Sequence, residues 1–108
     1  MQIATGSYTG NGQAGEGSPN SITLPFAPKL VVLGRTDDGI FGAGNNNGYA
    51  TQKDGFVWVN GIAQQLVEGN PWTYRYYQLD GTVLKWWGTN QEYQANMAGQ
   101  KYVWFAIG

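Results

Sequence analysis

The chain has 108 residues, of which 17 are Gly, 9 Asn and 9 Gln, and only 12% are charged, against roughly 25% in an ordinary soluble domain. It contains no Cys and no His, which excludes a disulfide framework, a Cys/His zinc site and any nucleophile activated by an imidazole. A net charge of −1 from six basic and seven acidic residues leaves no electrostatic footprint for nucleic acid or an anionic membrane surface.

The start, Met1-Gln2-Ile3-Ala4-Thr5-Gly6, lacks the basic end and apolar stretch of a signal peptide,. Residues 3–9 read as a first strand, followed by a Gly-rich loop from Gly10 to Pro19. Ser21 to Phe26 puts Ile22, Leu24 and Phe26 on one face, and Pro25 and Pro28 predict an edge strand that ends early,. Lys29 to Gly34 is apolar on both faces, as a central strand requires,. Its run Leu30-Val31-Val32-Leu33 is the longest aliphatic stretch, far below the roughly 20 residues of a membrane-spanning helix, so no membrane insertion is expected,.

Arg35 to Gln52 is a long turn-rich stretch, with Asp37-Asp38-Gly39 and Asn45-Asn46-Asn47-Gly48,. Phe56 to Val59 predicts another strand, closed by Asn60-Gly61. The one helix-like window, Ile62 to Glu68, is at most two turns long and is stopped by Gly69-Asn70-Pro71,. Trp72 to Leu79 and Thr82 to Trp87 predict a hairpin with Asp80-Gly81 as its turn,. Lys101 to Ile107 closes the chain as a strand apolar on both faces, which needs cover on both sides, and a second subunit is one source of it.

Leu, Ile, Val and Phe make up only about a fifth of the chain, so its 16 aromatics must supply much of the core; each buried ring covers about 150–250 Å². Together these features predict one domain over residues 1–108. It should be an all-β antiparallel sandwich of about six to eight short strands joined by long Gly/Asn-rich loops.

Particular residues carry a resemblance. The closing run Tyr102-Val103-Trp104-Phe105-Ala106-Ile107-Gly108, preceded by Asn96-Met97-Ala98-Gly99, resembles the end of small domains in phage and prophage tail proteins, and is similar to the H-type lectin domain. Gly6-Ser7-Tyr8-Thr9-Gly10, the Gly-rich loop, Ser21-Ile22-Thr23-Leu24 and Phe26 to Val32 match phage-type members as well. The resemblance implies a β-sandwich that trimerises and acts as a receptor- or glycan-binding tip. Animal H-type lectins use a Trp, an Arg, an Asp and often a His at a subunit interface. With no His here, their sugar specificity does not transfer.

Other motifs reduce to simpler readings. Gly10-Asn11-Gly12-Gln13-Ala14-Gly15 matches GxGxxG, but Glu16-Gly17-Ser18-Pro19 cannot begin the helix whose N-terminus would hold a pyrophosphate, so a flexible loop is expected,. Asp37, Asp38 and Asn45 to Asn47 offer oxygen ligands without EF-hand spacing, so they serve turns and no metal is expected,. No two carboxylates share a strand face, so neither glycosidase geometry nor any other catalytic role is predicted, and no cofactor.

Trp86-Trp87, Tyr76-Tyr77 and Trp104-Phe105 each split across two strand faces, one ring inward and one outward,. Outward rings can pack on another subunit or stack on sugar, beside Asn, Gln, Asp or Arg that read hydroxyls. The ligand-binding candidates are Trp86, Trp87, Trp72, Tyr74, Tyr76, Arg75, Asp37, Asp38 and Asn46. The expected function is that of a non-catalytic phage or prophage tail-tip domain in the virion, acting extracellularly. Its partners would be a bacterial surface glycan, its own copies in a homotrimer, and other virion or tail proteins. The alternatives are a structural head or tail decoration module without ligand, and a cell-derived H-type-like lectin.

Overall fold

Seven strands run through residues 1–37, 55–62 and 75–108, which the computed structural model describes: β1 Ile3–Thr9, β2 Asn20–Thr23, β3 Leu30–Arg35, β4 Phe56–Val59, β5 Arg75–Asp80, β6 Val83–Gly88 and β7 Lys101–Ile107. There is no helix among these residues. Every pairing is antiparallel, and the strands form two sheets, one ordered β1-β7-β3-β4 and the other β2-β6-β5. The fold is the β-sandwich expected from the sequence.

Period-two alternation decides which side chains enter the core. From the larger sheet come Val31, Leu33, Phe56, Trp58, Tyr102 and Ala106, and from the smaller come Ile22, Leu84 and Trp86. The aromatics bridge the layers: the Phe56 ring meets the Trp86 ring edge-on at 5.1 Å, and Tyr8, stacked on its ladder partner Tyr102 at 5.1 Å within the larger sheet, lies 6.3 Å from Trp86 across the core. The strand that opens the chain and the one that closes it lie side by side, Ile3 opposite Ile107 and Thr9 opposite Lys101. Gly6 faces Trp104 in this ladder, and a Cβ there would lie 2.4 Å from the indole. The ring fills the space that the glycine leaves.

The second strand ends at Thr23 and forms an edge, as its prolines predict, although Leu24 and Phe26 stay buried beyond it. Leu30–Arg35 occupies an interior position between β7 and β4. In the β5–β6 hairpin, Asp80 pairs with Val83 and Gly81 takes φ of 64°. The two-residue turn is therefore Gly81-Thr82, one residue later than the expected Asp80-Gly81. A turn with positive φ only at its first loop residue places glycine there. Residues 63–68 of the helix-like window lie outside the described residues, as do Trp72 to Tyr74 of the predicted hairpin.

The Gly-rich loop is not the flexible segment its composition suggests. Gly10 N–H donates to Gln100 O at 2.8 Å, Gly12 N–H to Asn96 O at 2.8 Å, and Gly99 N–H back to Gly10 O at 3.0 Å. This ties residues 10–18 to the turn segment 89–100 that precedes β7.

Candidate functional site

Strand alternation in the β5–β6 hairpin sorts its aromatics by face. Trp86 points inward and is fully buried, its indole N–H donating to Gln94 O at 2.8 Å. Arg75 is also fully buried. Its guanidinium donates to Tyr93 O, to Gly55 O at 2.9 Å and to Tyr77 OH at 3.3 Å, with Cζ 5.3 Å from the centroid of the Phe56 ring. Both were candidates for ligand contact, and both instead hold the core together. A side chain whose polar atoms are committed to interior carbonyls presents nothing to a ligand outside.

Trp87 and Tyr76 take the opposite, solvent side. They stand directly across from each other in the ladder with ring centroids 6.1 Å apart and planes inclined at 41°. Tyr76 is 46% exposed and Trp87 half-buried. Asp37 lies away from this face. It accepts from Arg35, with Nε to Oδ1 at 2.5 Å and Nη2 to Oδ2 at 3.3 Å, and that bond holds its carboxyl below the usual carboxylate range. Trp72, Tyr74, Asp38 and Asn46 lie outside the described residues.

The register adds neighbours that the sequence reading did not single out. Lys85 pairs with Gln78 on one side and with Ser21 on the other, one row along from Trp87 and Tyr76. Val83, Asp80 and Thr23 form the next row, toward the turn. The outer face of β2-β6-β5 is thus a grid: two rings at one end, an amide, an ammonium and a hydroxyl in the middle, and a carboxylate by the turn. Ring faces carry negative quadrupole density that attracts polarised C–H groups, and the middle row both donates and accepts hydrogen bonds. Such a surface can seat the apolar side of a sugar ring while reading its hydroxyls. The signal was the two-residue spacing of Lys85 from Trp87, but Gln78 and Ser21 join only through cross-strand register.

The outer face of the larger sheet is different in kind. Ile3, Val103 and Phe105 are 55%, 44% and 38% exposed, next to half-buried Val32, Val57 and Val59. Thr5, Ser7, Gly34, Lys101 and Val103 line a shallow depression of about 750 Å³ on this side.

Two buried amides hold the loops near the hairpin. Gln94 Oε1 accepts from Gly15 N–H at 2.8 Å and Gly88 N–H at 3.1 Å, while its Nε2 donates to Ser18 O and Asn20 Oδ1. Asn96 accepts from Asn11 N–H and donates to Asn11 Oδ1 and Gln13 O. Nothing in the sequence separates these from the many solvated amides. No family model, curated protein or solved structure matches the chain.

Proposed function

We propose that the chain is a non-catalytic carbohydrate-recognition domain at the tip of a phage or prophage tail, binding a bacterial surface glycan through the outer face of β2-β6-β5. The observation that carries this reading is the Tyr76–Trp87 pair, two rings set side by side on the solvent face of a sheet, with Gln78, Lys85 and Ser21 in the next row. Rings held outward on a sheet have fixed orientation, so little rotamer entropy is lost when a ligand stacks on them. The tail-tip setting, the bacterial source of the glycan and the homotrimer follow from the sequence resemblance. The apolar outer face of β1-β7-β3-β4 supports assembly with other copies or virion proteins.

A glycan array probed with the intact protein tests the proposal. The expected result is binding to a subset of bacterial saccharides, lost on Trp87→Ala or Tyr76→Ala with the melting temperature lowered by only a few degrees. Absence of binding to every saccharide and to bacterial cells, from a correctly assembled protein, would sink it. That outcome supports the second reading, a decoration module that uses the sandwich for assembly alone, which the exposed Ile3, Val103 and Phe105 favour.

A further inference from the structure

We infer that the Tyr76–Trp87 face selects an acidic sugar, a pyranose whose ring carries a carboxylate, and that Lys85 is the group that makes the selection. The inference rests on reading this face as carbohydrate-binding and goes beyond it by naming the ligand's charge.

Lys85 lies on β6, the middle strand of its sheet. Lysines commonly guard exposed sheet edges against pairing with other chains, but a central strand has no edge to guard. Its stem is half-buried between Gln78 and Ser21, so the charged end is carried outward over the face. Among the described residues no carboxylate or other polar group pairs with its ammonium. Among the described residues of these three strands the one acid on this face is Asp80, which is diagonal to Lys85 and on the side away from the rings. A bound anion is therefore drawn to the Lys85 row and repelled from the turn.

The spacing suits a uronide. Lys85 and Trp87 are two residues apart, roughly 7 Å along the strand. The carboxylate of a uronide is attached directly to the ring, so a ring seated on Trp87 brings it within reach of a flexible ammonium. One lysine matches one negative charge. A phosphate monoester carries about −1.5 to −2 and is better met by an arginine fork, and among the described residues no arginine stands on the outer face of β2-β6-β5.

Matched methyl glycosides provide the test: the gluco, galacto and manno uronides, each against its neutral parent, with glucose 6-phosphate as a third arm. Binding to the full chain is followed by tryptophan fluorescence or by amide chemical shifts. At low salt at least one uronide should bind roughly threefold tighter than its parent, the range of a partly exposed ion pair. The preference should vanish near 1 M salt, where the screening length falls to about 3 Å. Lys85→Gln should abolish it, so that uronide and neutral parent bind alike, with the melting temperature unchanged. Equal binding of uronide and parent overturns the inference and leaves the carbohydrate-binding face standing. Stronger binding of the sugar phosphate overturns the carboxylate assignment. Failure of every saccharide to bind overturns both readings.

Discussion

Gln94 is the residue on which most local order depends. Fully buried, it satisfies two amide N–H groups and two oxygen acceptors contributed by three separate segments. Gln94→Ala leaves Gly88 N–H unsatisfied in the interior and should cost about 2–4 kcal/mol, since each orphaned buried group costs about 1–3 kcal/mol; urea unfolding measures it. The tyrosines set the alkaline limit. Burial pushes the hydroxyls of Tyr8 and Tyr77 above the ordinary tyrosine value, with Asn20 and Arg75 respectively opposing the rise. Below about pH 10 both states keep these protons and stability is unaffected. Above it the unfolded chain ionises first and binds fewer protons than the folded one, so stability falls by up to about 1.4 kcal/mol per pH unit for each group. Unfolding free energies measured from pH 8 to 11 should bend downward near pH 10. Tyr8→Phe should soften the bend, while removing the bond to Ala95 O (2.6 Å) costs about 1 kcal/mol,.

At the level of elements, the hairpin turn and the β1–β7 ladder make the sharpest demands. Gly81→Ala should destabilise by about 1–2 kcal/mol, because φ of 64° disfavours any Cβ,. Gly6→Ala should cost about 1–3 kcal/mol through overpacking against Trp104, and Trp104→Leu in the same chain should recover part of it,; thermal melts of the single and double variants check the coupling. The strands themselves were legible in the sequence. Ile3–Thr9, Phe56–Val59 and Lys101–Ile107 fall where alternation and turn residues put them, and Trp86-Trp87 divides between the faces. Cross-strand partners were not legible, because register depends on turn geometry and on packing between distant segments. Arg75, in an aromatic strand, reads as either a cation–π partner or a hydroxyl reader; the first holds, with its Cζ 5.3 Å from the Phe56 centroid, and the burial that makes it a clamp was not legible. Lys85, Gln78 and Ser21, scattered over residues 21–85, meet only in the folded sheet.

The whole molecule has two outer faces of unlike chemistry, one aromatic and polar, the other aliphatic with Phe105 and Val103 at its centre. Self-association should use the second. Phe105→Asp is expected to convert assembled protein to monomer, seen by sedimentation, at a cost of about 1–2 kcal/mol in intrinsic stability, because the ring is only 38% exposed on an interior strand and Asp is a poor strand residue,. A wild-type protein already monomeric at micromolar concentration contradicts the trimer. Saccharide binding should survive this substitution, because the rings lie on the other sheet.

The pairing of the first strand with the last has a mechanical consequence. Gln2 and Gly108 exchange hydrogen bonds at 3.1 and 2.9 Å, so the chain enters and leaves the fold at one corner, and new ends can be opened at the Gly81-Thr82 turn without loss of the sandwich. Tension applied between the two termini acts across this antiparallel pair and peels its bonds singly from that corner, like a zipper. Stretched in optical tweezers by both ends, the domain should yield at low force. Pulled by one end against a point elsewhere on the domain, the same corner is not peeled open.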